Sequence, residues 1–67
     1  MLSARNQFKG TIKSVKLGQI TAEVIVAVGD IEVVAIISKG SAENLKLKVG
    51  DKVAAVIKAT EIMIDKP

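Results

Sequence analysis

The stretch ITAEVIVAVGDIEVVAIISKGS, Ile20 to Ser41, decides the fold. Ile20, Ala22, Val24, Val26 and Val28 fall on one side of an extended chain, and Thr21, Glu23, Ile25 and Ala27 fall on the other. A period of two is the mark of a strand with one face turned to a core. Val28-Gly29-Asp30 is a turn signal between two apolar runs, so the strands on either side form a hairpin. The next strand, Ile31 to Ser38, begins with alternation and becomes apolar on both faces over Val33-Val34-Ala35-Ile36-Ile37. Such a strand needs cover from a second layer or a second subunit. Ser38-Lys39-Gly40-Ser41 breaks it. A short helix is expected from Ser41 to Leu45, with Ser41 as N-cap and Glu43 in the first turn, near the positive end of the dipole.

Outward from this stretch the same period recurs. Phe8, Gly10 and Ile12 share one face of a strand running from Phe8 to Val15, which places Phe8 in the core, and Leu17-Gly18-Gln19 punctuates it. Beyond the helix, Lys48-Val49-Gly50-Asp51 reads as a turn. Val53 to Lys58 and Glu61 to Ile64 read as the last two strands, hinged at Ala59-Thr60. Nine isoleucines and nine valines against one proline confirm an all-β chain. Five strands with one short helix between the third and fourth is the layout of an OB-like barrel, and residues 1–67 form a single domain without internal repeats.

Size and composition narrow the function. The 67-residue chain has no cysteine and no histidine, which removes disulfides, thiolate metal sites and the commonest general base. Below about 70–80 residues a single core rarely supplies more than about 3–5 kcal/mol without a staple, a metal or a partner. With 49% apolar residues and no staple, a homo-oligomer is expected. No apolar run approaches a membrane span, and Met1-Leu2-Ser3 does not begin a signal peptide, so a cytoplasmic protein is expected. Catalysis is not expected, because no nucleophile has an activating partner, and the acids sit beside turns or on outer faces. An OB-type barrel also suits single-stranded nucleic acid, the alternative reading. Such binding depends on aromatic platforms, and the chain has no Trp, no Tyr and one Phe. The net charge of +3 is spread through the sequence instead of forming a basic stripe.

A small anion remains. Arg5 is the only arginine among nine lysines, and its planar fork suits oxyanions in a way that a lysine does not. Ser3-Ala4-Arg5 offers a hydroxyl, backbone N–H groups and that guanidinium. Ser38-Lys39-Gly40-Ser41 offers two hydroxyls and the N–H groups of a helix start. Lys58-Ala59-Thr60 offers an ammonium on the strand face opposite Val53, Ala55 and Ile57. Each also has a simpler role, as a chain terminus, a helix cap or a solvated lysine. In an OB-type layout the three need not meet within one subunit, whereas across an oligomer interface they can.

Ser3-Ala4-Arg5-Asn6-Gln7-Phe8-Lys9-Gly10, Ala35-Ile36-Ile37-Ser38, Leu47-Lys48-Val49-Gly50-Asp51 and Ala55-Val56-Ile57-Lys58-Ala59-Thr60 together resemble the Mop family, the small molybdate-binding molbindins. The similarity runs over essentially the whole chain. Related modules end molybdate-transport ATPases and molybdate-responsive regulators, and this chain resembles the free-standing form. The resemblance implies a barrel whose strands are exchanged between subunits, in dimers that assemble into a hexamer. It also implies molybdate or tungstate as ligand, held between subunits, with no catalytic cofactor, no nucleic acid and no membrane partner. It carries the binding roles to Ser3, the Ala4 backbone, Arg5, Ser38, Ser41, Lys58 and the Ala59 backbone, and makes Asn6 a candidate for a second site on the threefold axis.

Overall fold

The computed structural model describes residues 5–67. β1 (Asn6–Leu17), β2 (Thr21–Val28) and β3 (Ile31–Ser38) form an antiparallel meander, followed by helix α1 (Lys39–Asn44) and β4 (Lys52–Ile57). The strands make one sheet in the order β3-β2-β1-β4. The hairpin read from Val28-Gly29-Asp30 is present: Val28 pairs with Ile31 and Gly29 takes a φ of 58°. The chain is thus all-β and OB-like, with its short helix between the third and fourth strands.

β1 organises the molecule because it changes partners along its length. Asn6 to Thr11 pair with β4, and Thr11 to Leu17 pair with β2. The register on β2 slips between Ile12 and Ser14, so Lys13 occupies a bulge that bends the strand. The Lys48–Asp51 turn docks at this bend: Ile12 N–H donates to Asp51 C=O at 2.9 Å, and Gly50 N–H donates to Ile12 C=O at 2.9 Å. Gly50 has a φ of 96°, and the Asp51 carboxylate accepts from Lys48 N–H at 3.1 Å. Lys13 also forms an ion pair with Glu32 on β3. It is exposed, so it contributes little.

Ile12, Val24 and Val26 are the centre of the core, with Val15, Val28, Val33, Ala35, Ile37, Leu47 and Val53 packed around them. Ala22 and Ala42 are also buried. The inward set expected for β2 is therefore present except at Ile20, which precedes the strand and is exposed. Phe8 lies on the expected face but remains partly uncovered in a single chain. On β3, Val34 and Ile36 are 59% and 62% exposed, so the described residues leave most of the second apolar face uncovered.

Two local expectations are corrected. The helix starts at Lys39 and is capped by Ser38, not Ser41, and Glu43 consequently lies beyond its first turn. Ser38 stands in extended conformation and its hydroxyl accepts from Ser41 N–H at 3.0 Å, which is the N-cap geometry. The Ser38-Lys39-Gly40-Ser41 segment does end β3 as expected, and Lys39, Gly40 and Ser41 are already helical. The described residues also hold four strands, not five: after β4 the chain makes a short 3-10 turn at Ala59–Glu61, and the expected strand from Glu61 to Ile64 is unpaired. A strand requires a neighbour to accept its hydrogen bonds, and the described residues offer this segment none.

The helix ends in a Schellman motif, with Leu47 N–H donating to Ala42 C=O at 3.2 Å and Lys46 N–H to Glu43 C=O at 3.1 Å. Lys46 occupies the left-handed position at φ 53°, where glycine is unstrained. Lys46→Gly is therefore expected to stabilise the fold by about 0.5–1 kcal/mol in denaturant unfolding. A loss of stability would show that the Lys46 side chain contributes packing that outweighs the backbone strain.

Candidate functional site

Arg5 and Lys58 lie just beyond the last pair of the β1–β4 ladder, at the same end of the sheet. Asn6 pairs with Ile57 in the antiparallel β1–β4 ladder, so one step further along the same register sets Arg5 across from Lys58. Both are exposed. Lys58 is the last extended residue before the 3-10 turn, at φ −65° and ψ 137°, and its C=O accepts from Glu61 N–H at 2.9 Å. The turn therefore fixes the course of the chain from Lys58 through Ala59. Among the described residues neither cation has an ion-pair partner. One is a forked and the other a compact donor group, and each suits an oxyanion. Asn6 lies beside them as the first residue of β1. Ser3 and Ala4, also expected in the site, lie outside the described residues.

Ser38 and Ser41 are brought together elsewhere. The Ser38 hydroxyl donates to Ser41 Oγ at 2.8 Å while accepting from Ser41 N–H. Lys39 N–H donates to Ile20 C=O at 2.8 Å, which ties the β3–α1 junction to the start of β2. Two of the N–H groups expected to be open at the helix start are thus already committed, and the hydroxyls are what this segment presents.

These two clusters sit at opposite ends of β1. Ser38 pairs with Thr21, and Ala22 beside it pairs with Leu17, the last residue of β1, whereas Arg5 precedes its first residue. At roughly 3.3 Å per residue the strand separates them by on the order of 30 Å. One copy of the chain does not assemble the whole set of donors.

Sequence reasoning missed a second basic feature. A cleft of about 610 Å³ opens where β2 and β4 diverge from β1, lined by Lys9, Thr11, Gly29 and Lys52 among others. Its residues converge only through strand pairing, and no local motif marks them.

The pattern that defines the TOBE domain matches residues 2–64. The chain belongs to the TOBE-domain family. Among its relatives, molybdenum-pterin-binding protein 3 of Clostridium pasteurianum is 48% identical over 64 residues, which cover 94% of each chain. The solved structure of a molybdate-binding protein from Sporomusa ovata aligns with this TOBE domain at a TM-score of 0.94 and 36% identity, covering 98% of both chains. The cytoplasmic molybdate-binding protein ModG, solved with molybdate bound, aligns at a TM-score of 0.82 and 40% identity. That match covers 88% of this chain and 43% of ModG. The resemblance to the Mop family is thereby shown, and with it a likeness to binding proteins.

Proposed function

We propose that this TOBE domain binds molybdate, or the near-isosteric tungstate, in sites shared between copies of the chain, and that it stores and buffers the oxyanion in the cytoplasm. The observation that carries the reading is the separation of the donors. Arg5, Lys58 and Ala59 stand at one end of β1 and the Ser38–Ser41 pair at the other. A pocket drawing on all of them takes one cluster from each of two copies. Ser3 and Ala4 adjoin Arg5 in the sequence, and the likeness to the Mop family assigns them to the same anion. Every named group is a donor, which matches a fully deprotonated dianion.

The apolar surface supports assembly. Met63 and Ile64 are 92% and 89% exposed, and Val34 and Ile36 on the outer face of β3 are more than half exposed. Covering one such side chain fully is worth about 1.5–3 kcal/mol, which a domain of this size cannot forgo. Among the described residues Ile62 to Ile64 are unpaired and β3 is a sheet edge, which favours exchange of strands between copies. The hexamer built as a trimer of dimers rests on the likeness to the Mop family alone.

Thermal unfolding and native mass spectrometry test both parts. Molybdate is expected to raise the melting temperature at concentrations where sulfate does little, and the assembly is expected to persist at micromolar protein. A folded monomer, or equal responses to molybdate and sulfate, would sink the proposal. Binding of an oligonucleotide with steep salt dependence, and no response to molybdate, would instead favour a single-strand nucleic-acid module.

A further inference from the structure

The cleft beside the β2–β3 turn has no part in the site proposed above. Its origin is the change of partners along β1. Thr11 pairs with Ala27 of β2 on one side and with Lys52 of β4 on the other, and the two neighbouring strands diverge from there. Gly10 lets β1 and β2 approach so closely that a Cβ at this position would lie 2.3 Å from the Ala27 carbonyl oxygen. Backbone therefore forms much of the wall, and Gly29 of the turn closes one side.

The side chains on this wall are of one kind. Lys9 pairs with Ala54 and Thr11 with Lys52, so Lys9, Thr11 and Lys52 project from the same face of neighbouring strands. The two lysines are diagonal neighbours, a placement that sets their Cα atoms roughly 7–8 Å apart. Among the described residues neither has an ion-pair partner. No carboxylate lines the cleft: the Asp51 side chain, next in sequence to Lys52, is held by Lys48 N–H instead. Two ammonium groups with three donors each, a threonine hydroxyl and a volume of about 610 Å³ make a receptor for an anion larger than one tetrahedral unit.

We propose that this cleft is a second anion site, which takes a phosphoryl group as a condensed phosphate or as the head of a small phosphate ester. Lys9 and Lys52 supply the charge, and Thr11 supplies a hydroxyl between them. The site is separate from Arg5 and Lys58, so it stands or falls independently of molybdate binding.

The test follows the lysine side-chain signals by NMR while the intact protein is titrated at low salt with pyrophosphate, then with a nucleoside diphosphate. Saturable shifts at Lys9 and Lys52 are expected. Lys9→Gln and Lys52→Gln should each weaken the pyrophosphate affinity at least fivefold, and Lys16→Gln, on an exposed strand position, should leave it unchanged. A nucleoside diphosphate that binds more tightly than pyrophosphate identifies the ester as the source of the phosphoryl group, and the reverse order identifies the free condensed phosphate. Unsaturable shifts of similar size at every lysine, or shifts at Lys9 and Lys52 with molybdate alone, overturn the assignment. Normal pyrophosphate affinity in both glutamine variants overturns it as well.

Discussion

Gly10→Ala is expected to remove most of the stability of the fold. The new methyl carbon would sit 2.3 Å from the Ala27 carbonyl oxygen and 2.9 Å from methyl groups of both Val26 and Val28. The first of these contacts is backbone in a paired strand and cannot rotate away, so β1 and β2 must separate beside Ile12, the most buried of the large side chains. Overpacking of a well-filled core costs about 1–3 kcal/mol, and a backbone collision falls at the upper end of that range. Against the small reserve of a domain this size, a loss of about 3 kcal/mol leaves a large unfolded fraction at ambient temperature. Gly40→Ala is the matched control. Its added methyl group meets nothing within 4 Å and it lies inside α1, so a gain of about 0.5–1 kcal/mol is expected. Denaturant unfolding of the two variants compares them directly, and equal midpoints would mean that the approach of β1 to β2 is not constrained at Gly10.

Lys58→Ala is expected to weaken molybdate at least tenfold, and Arg5→Lys by about tenfold. The two changes probe different properties of one end of the sheet. The first deletes a charge; the second keeps the charge and removes the planar fork. A hydrogen bond to a charged group is worth about 1.5–3 kcal/mol, and tenfold in affinity corresponds to about 1.4 kcal/mol. Both side chains are exposed in the single chain, so these magnitudes apply where a second copy covers the strand ends. Lys16→Ala controls for general charge and should change the affinity little. Calorimetric titration reads all three, and equal affinities for wild type and Arg5→Lys would show that the geometry of the guanidinium is irrelevant.

The elements fixed by local pattern were legible in the sequence, and those fixed by distant partners were not. The β2–β3 hairpin follows from the alternation around Val24 and Val26 and from Gly29, whose left-handed backbone a turn requires. The helix start was displaced because Ser38 and Ser41 are both good caps; what selects Ser38 is that β3 ends there and Lys39 N–H reaches Ile20. Ile62-Met63-Ile64 has the composition of a strand, yet pairing is a property of two segments, and this one finds no mate among the described residues. The same holds for the candidate site. Arg5, Ser38, Ser41 and Lys58 were singled out by type and motif as candidates, while their division between the two ends of β1 depends on registers that no short stretch of sequence encodes.

The length of β1 has a consequence for how such a protein responds to supply. If each pocket borrows one cluster from a neighbouring copy, the capacity to hold the ion does not rise in simple proportion to the number of chains made. Dilute chains lack complete pockets, and the ligand, by binding only the associated form, draws them together as RT ln(1 + [L]/Kd) adds to the association free energy. Scarcity of either chain or ion then lowers retention of the other, and the pool fills and empties over a narrower range of concentrations than independent pockets would allow. With pockets shared in this proposed way, a strand of about 30 Å would act as a coincidence detector, because it would hold the two donor clusters too far apart for one chain to use alone.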